Sequence, residues 1–434
     1  MRMLLVIAFR NLVQARRRTA LIATALAIVT MVMTLLLSLS QGLSETLLVS
    51  GTTLSSGHVN VGGFYKMSPR DASPIINDEA KLTQLINDNV KGVDYVVGRL
   101  RGWAKAVSPK GSVQVGITGL DLNREPTFAQ RLQVVAGDVQ SLRELNTAII
   151  FEAQAKRLEV GVGDVVTLSF EAFTGQRDTG EVRVGAIAKD MGFMSGWSLF
   201  VSNDSLRTMY RIKSDVTGAL HVYLKDVGQS AAVLEQLQGV FKNAGYTLMD
   251  HEGAPFWMKF ERVGSEDWTG LRLDLTTWDE ELAFLQWVVT GLDMIAFFLA
   301  AILMVIIGIG FMNTMWIAVR ERTPEIGTMR AIGMRRRKVL VLFLLEATML
   351  GLIATGIGAL LGGLVGVTLD HAQIRVPYEA AQAVLMSDVL HLSVKPALLI
   401  KSVLGFTFIT ALAALWPALR AARMRPVTAI GHVS

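Results

Sequence analysis

Four stretches of the chain are apolar almost without interruption: about Ala20 to Leu39, Leu285 to Ala318, Val339 to Leu369 and Ala397 to Leu419. Each reaches the roughly 20 residues a helix needs to cross a bilayer. The first does not stop at Leu39, because Gln41-Gly42-Leu43-Ser44-Glu45-Thr46-Leu47-Leu48-Val49 keeps apolar residues at helical spacing. The second begins early, since Ala283, Phe284, Leu285, Trp287, Val288 and Val289 join it without a breaker. A helix from there to Ala318 reaches roughly 50 Å, against a hydrocarbon core of about 30 Å. Tilt absorbs part of that excess. The remainder predicts that both helices leave the membrane as a stalk.

Between these two runs lie about 240 residues of mixed sequence, long enough for one or two cores of their own. Alternation predicts strands at Val113–Ile117, Val165–Leu168, Val182–Ile187 and Leu220–Leu224, with a turn at Gly161–Asp164 before one of them. Helical spacing predicts Asp78–Val90, with Leu82, Leu85 and Ile86 inward. It also predicts Gln229–Lys242, with Val233, Leu234, Leu237, Val240 and Phe241 on one face. The pattern is that of an α+β domain in two lobes, one from both ends of the insert and one from its middle, about 105–215.

Composition agrees with a membrane protein: 51% of residues are hydrophobic and 18% charged, where a soluble domain carries about a quarter charged. The net charge of +5 does not point to nucleic acid, because the basic residues are grouped beside the apolar runs. Arg2, Arg10, Arg16, Arg17 and Arg18 precede the first. Arg320, Arg322, Arg330, Arg335, Arg336, Arg337 and Lys338 lie between the second and third, and Arg420, Arg423 and Arg425 follow the fourth. The stretch from Asp370 to Pro396 has only Arg375 and Lys395. Positive residues mark the cytoplasmic side, so both termini are expected inside and the large insert outside. The first apolar run is longer than a signal-peptide core of about 7–15 residues, which favours an uncleaved helix. Cysteine is absent, so disulfides and thiol chemistry play no part.

The expected fold class is therefore an α-helical membrane protein. Four transmembrane helices in a one-plus-three layout carry a large α+β extracytoplasmic domain on a helical stalk. The expected segments are 1–18 before the first span, 19–50 for that span and its stalk, 51–280 for the outer domain and 281–319 for the second stalk and span. Residues 320–338 make a charged cytoplasmic connection. Spans three and four take 339–369 and 397–419, around a short outer loop at 370–396, and 420–434 is a cytoplasmic tail.

Catalytic signatures are missing. No Gly-Lys pair exists, so the phosphate-wrapping loop of P-loop ATPases is absent. His251-Glu252 opens a zinc-protease pattern that fails at Pro255, and Gly192-Phe193-Met194-Ser195-Gly196 has the wrong spacing for a nucleophile elbow. No catalytic, cofactor-binding or metal-binding residue is expected on this chain. Asp293 and Glu346 lie within apolar runs, where a carboxylate serves either function or a polar contact with a neighbouring helix. Gly358, Gly362 and Gly366 repeat at intervals of four, which lets helices approach closely in lipid. They suit packing within the bundle or, alternatively, a sliding or dimer-forming surface. Trp257, Trp268, Trp278 and Trp287 precede the second span. They read as an interfacial belt with domain core, or as an apolar entrance for a lipid-like cargo.

The segment after the second span reads Arg320-Glu321-Arg322-Thr323-Pro324-Glu325-Ile326-Gly327-Thr328-Met329-Arg330-Ala331-Ile332-Gly333-Met334-Arg335-Arg336. It resembles the cytoplasmic signature of the ABC permease family that includes MacB, LolC, LolE and FtsX. Ala8-Phe9-Arg10-Asn11-Leu12 with Arg16-Arg17-Arg18-Thr19 looks like the family's N-terminal amphipathic helix, and Phe343-Leu344-Leu345-Glu346-Ala347 like its span-three start. Trp416-Pro417-Ala418-Leu419-Arg420-Ala421-Ala422-Arg423 with Pro426 looks like its exit. Thr147–Glu152 through Thr167-Leu168 looks like the family's central domain. Lys189–Phe200 falls where lipoprotein-releasing members carry a loop.

The resemblance implies a permease driven by mechanotransmission, with ATP and Mg bound on a separate ATPase dimer. It implies a second permease, identical or homologous, a periplasmic carrier or adaptor, and cargo taken from the outer leaflet of the inner membrane. Length and the lack of a fused ATPase lean towards the lipoprotein-releasing branch. The alternatives are a split MacB-type efflux permease and a signalling module controlling a partner such as a cell-wall hydrolase. ATPase coupling is expected at Glu321, Arg322, Pro324, Glu325, Gly327, Arg330 and Gly333, on a short helix opened by its proline.

Overall fold

The computed structural model describes residues 2–14, 16–69, 71–172, 175–191, 195–377 and 389–423. Residues 192–194 of the Lys189–Phe200 loop, and Pro426, lie outside them. The chain divides into a membrane unit (Met1–Leu43, Val289–Ile374, Leu390–Ser434) and an insert domain (Ser44–Val288, Arg375–Val389). In chain order the helices are α1 (Arg2–Gln14), α2 (Arg16–Leu54), α3 (Glu79–Asn89), α4 (Pro126–Arg131), α5 (Glu152–Leu158), α6 (Asn203–Tyr210) and α7 (Ser230–Asn243). There follow α8 (Phe260–Ser265), α9 (Trp278–Glu281), α10 (Ala283–Glu321), α11 (Thr323–Ala331), α12 (Arg336–His371) and α13 (Pro396–Arg423).

Among the described residues α2, α10, α12 and α13 are long and apolar enough to cross a membrane. α2 and α10 each run 39 residues, about 60 Å at the helical rise, well beyond a hydrocarbon core. In the membrane unit, Ala414, Ala418, Ala421 and Ala422 of α13 share a core with Phe343, Ala347 and Leu350 of α12 and with Phe311, Met315 and Val319 of α10. Small residues on one helix admit large ones from its neighbours, and in lipid, where no hydrophobic force joins helices, such packing is a main source of cohesion. α10 also exposes Phe297, Ile302 and Ile306, as suits a helix apolar on all sides.

The insert domain contains two sheets. The first lobe uses β1 (Val59–Ser68), β2 (Asp71–Ser73) and β3 (Val93–Arg99). The second uses β4 (Arg101–Val107), β5 (Ser112–Leu120), β6 (Val134–Gly137), β7 (Thr147–Phe151), β8 (Val165–Glu171), β9 (Arg177–Ala188) and β10 (Ser198–Ser202). The chain then returns to the first lobe with β11 (Ala219–Leu224) and β12 (Gly270–Thr277).

The first sheet has the order β12-β1-β11-β3, antiparallel throughout, with β2 on β1. With α3 after β1 and α7 after β11 this is a split βαβ arrangement. Val59, Val61, Leu220, Val222, Leu273 and Leu275 point to one face, where Leu82, Ile86, Val233, Leu234, Leu237 and Phe241 of the two helices cover them. By strand alternation the opposite face carries Asn60, Lys66, Arg99, His221, Asp274 and Thr276, all buried. Buried charges require partners. Lys259 pairs with Asp274 at 2.8 Å, Arg99 with Glu125 at 2.5 Å, and Lys66 donates to the carbonyls of Val263 and Glu266.

The second sheet has the order β9-β7-β10-β5-β4-β8, and β8 pairs back onto β9, so six strands close into a barrel with β6 appended to β9. Val115, Ile117, Ile150, Val166, Leu168, Val182, Val184, Leu199 and Val201 fill it. Closure removes the edges of the six ring strands and leaves β6 as the edge. The lobe boundary falls at Leu100, a single residue between β3 and β4, rather than near residue 105. β3 and β4 are continuous in sequence pattern, so no turn residue marks the crossing.

Candidate coupling site

α11 stands between α10 and α12 as a separate short helix. Pro324 occupies its first turn, where an amide hydrogen would have no partner in the helix. Ile326 and Gly327 are buried against the bundle. The helix is stopped at Gly333, whose φ of +100° is left-handed backbone that favours glycine. Its N–H donates to the Arg330 carbonyl at 3.1 Å, and the Met334 N–H to that of Met329 at 3.0 Å, closing the helix end.

Two arginines of the segment turn towards the bundle. Arg322 directly precedes α11 and donates to Glu346 of α12 at 3.1 Å and to the Asn11 carbonyl of α1 at 3.3 Å. The Asn11 amide also donates to Glu346. Arg330 donates to the Ala422 carbonyl of α13 at 3.3 Å. Glu346 is 7% exposed and Arg322 17%, so this charge pair is largely withdrawn from water. Asn11, Thr19, Thr314, Arg322 and Glu346 line an adjoining cavity of about 30 Å³, room for about one or two waters. The three-way contact ties α1, α11 and α12 together.

Seven residues were expected to couple. Arg322 and Arg330 therefore reach inward as anchors, and Gly327 is buried. Glu321, Pro324, Glu325 and Gly333 lie on the exposed side. Beside them Ile332 is 87% exposed, an apolar tip framed by charge. Sequence pattern does not single out Ile332, because its exposure follows from the helix stopping one residue earlier. In the sequence Asn11 stands out only as part of an amphipathic stretch. Its link to Glu346 spans 335 positions, and only folding reveals it.

The glycine stripe packs inside the chain. A Cβ on Gly358 would lie 2.3 Å from the Ala27 carbonyl oxygen, and one on Gly362 2.9 Å from that of Met31, both on α2; one on Gly366 would meet Val394. Asp293 of α10 accepts a hydrogen bond from Ser40 of α2. The four tryptophans do not share one environment. Trp257 and Trp287 are exposed, whereas Trp278 is half-buried at the start of α9. Trp268 departs from the entrance reading: it is buried with Phe64 and Val263, donates to Glu266 at 2.9 Å, and lies under the Lys66 and Arg272 cations. Among the described residues no group of three His, Asp or Glu could hold a metal ion.

Residues 19–240 match the MacB-like periplasmic core domain, and residues 297–426 match the FtsX-like permease C-terminal domain. The chain belongs to the MacB/FtsX family of ABC-transporter permeases. The α11 segment, with α12, falls within the FtsX-like region, and the barrel within the MacB-like region. Among curated relatives, the macrolide export ATP-binding/permease protein MacB 1 of Aeromonas hydrophila is 38% identical over 125 residues, 28% of this chain and 17% of that protein. The pyoverdine export ATP-binding/permease protein PvdT of Pseudomonas fluorescens is 40% identical over 132 residues, 30% of this chain and 18% of that one. The matches thus span about a fifth of these relatives' length. The periplasmic region of MacB from Actinobacillus actinomycetemcomitans aligns with 54% of this permease and 94% of its own chain at 12% identity and a TM-score of 0.32, too low to carry an argument.

Proposed function

We propose that this permease works in an ATP-driven exporter of amphiphilic cargo, coupled through α11 to an ATPase outside these 434 residues. The observation that carries the reading is the form of α11: a short helix anchored inward by Ile326, Arg322 and Arg330, presenting Glu321, Glu325 and Ile332 outward. A surface held so firmly can pass a push into α1 and α12 without deforming. The arginines around it support a cytoplasmic position for that side by the positive-inside rule, and in this reading both termini lie there and the insert domain lies in the periplasm. The native chain lacks cysteine, so single introduced cysteines report this directly. Lys91→Cys should react with an impermeant maleimide from outside the inner membrane and Arg336→Cys should not; the reverse pattern would overturn the orientation.

The full assembly in this reading contains two ATPase subunits, two permeases and a periplasmic adaptor. Relatives named for macrolide and pyoverdine export favour a small amphiphile as cargo over a lipoprotein. Purified complex in lipid nanodiscs should hydrolyse ATP faster when a macrolide or siderophore is added. Stimulation by an acylated protein alone would instead support lipoprotein release, and a stably bound cell-wall hydrolase would support a signalling module.

A further inference from the structure

We infer that Tyr223 is a positioning residue that joins the end of α2 to both lobes of the insert domain. The last residues of α2, Ser50 to Leu54, are buried, as is Ser56 beyond them. Leu54 belongs to the core formed with Leu120, Phe128 and Phe200 at the barrel lobe. On the other side, the Tyr223 hydroxyl of β11 donates to the Thr52 carbonyl at 2.9 Å, with the Ser56 carbonyl at 3.4 Å as its alternative acceptor.

Tyr223 is itself held. Arg99 of β3 donates to its oxygen at 3.3 Å, and Tyr95 stacks on its ring at 4.4 Å between centroids. The same Arg99 binds Glu125 with both its Nε and Nη2. Glu125 directly precedes α4, the helix that carries Phe128. The contacts therefore close a ring: end of α2, Tyr223, Arg99, Glu125, α4, and back to α2 through the Leu54 core. Burial raises the Tyr223 phenol far above its ordinary range, so it remains a donor at any physiological pH. At Gly51 an added Cβ would lie 2.1 Å from a methyl of Leu282, so the side chain of the residue before α10 packs directly on the α2 backbone. Each side of the ring alone would let one lobe follow α2; together they oblige both lobes to follow it.

The bearing of this ring on transport rests on the permease reading, whereas the ring itself does not. Full-length protein in nanodiscs is spin-labelled at Glu235→Cys on α7 and Lys156→Cys on α5, one exposed site in each lobe, and the inter-label distance is measured by pulsed electron resonance. The parent should show one narrow distance. Tyr223→Phe keeps the ring stack but loses the donor, and should add a second population. Glu125→Gln, which weakens the Arg99 anchor from the other side, should do the same. Tyr246→Phe is the control, since its hydroxyl finds no partner among the described residues. A parent-like distribution in Tyr223→Phe overturns the inference even if its melting temperature falls, because that outcome means a local stabiliser and not a joint. If the permease reading fails, ATP hydrolysis will be missing from the parent complex, and the distance measurement will be unaffected.

Discussion

Glu346→Ala should destabilise the membrane unit by about 3–5 kcal/mol, the usual result of removing one partner from a buried ion pair. The variant leaves Arg322 largely buried, with the Asn11 carbonyl as its remaining acceptor among the described residues, and removes the acceptor of the Asn11 amide. The cost comes from the unpaired cation more than from the lost attraction. Arg322→Ala in the same chain should therefore restore part of the loss, since the stranded charge goes with it. Loss of helical signal on titration with denaturing detergent measures all three variants. If the two single losses simply add in the double variant, the residues are uncoupled and the three-way contact among α1, α11 and α12 has no energetic meaning.

Gly358→Ala should separate α12 from α2. Real Cβ atoms do not sit 2.3 Å from a carbonyl oxygen, and the obstacle is backbone, so the helices themselves must move. Overpacking of this kind costs about 1–3 kcal/mol and occasionally more. Gly356 lies on the same helix with open space where its Cβ would stand. Gly356→Ala should be neutral or gain up to about 1 kcal/mol from helix propensity. The two variants differ by position and not by chemistry. Equal thermal stability for both would show that α2 and α12 do not pack through the stripe.

The four spans were legible because length and hydropathy are local properties, and the excess length of α2 and α10 followed from simple counting. α3 and α7 could be read to within a residue of their ends, since Leu82, Ile86, Val233, Leu237 and Phe241 mark one face each. Barrel closure was not legible. It depends on β8 meeting both β4 and β9, and alternation within a strand is the same whether a sheet closes or stays open. The polar face of the first sheet was hidden for a related reason: Asn60, His221 and Asp274 alternate as solvent-facing residues do, and only the covering segments bury them. For the candidate coupling site, the signature residues pointed to α11 but put Arg322 and Arg330 on its docking surface. Arg322 could be placed only once α12 brought Glu346 beside it.

Charge reversal on α11 tests the central claim most directly. Glu321→Lys with Glu325→Lys adds positive charge on the side already rich in it, and insertion follows Lys and Arg while nearly ignoring acids. The variant should therefore insert with parental orientation and keep its bundle. Breaking a charged docking contact costs about 2–5 kcal/mol, more than a tenfold loss of affinity. ATPase co-purified per permease should fall accordingly, and cargo should no longer stimulate hydrolysis in what remains. A double variant that retains the parent's ATPase content and cargo-stimulated hydrolysis would contradict α11 as the coupling surface.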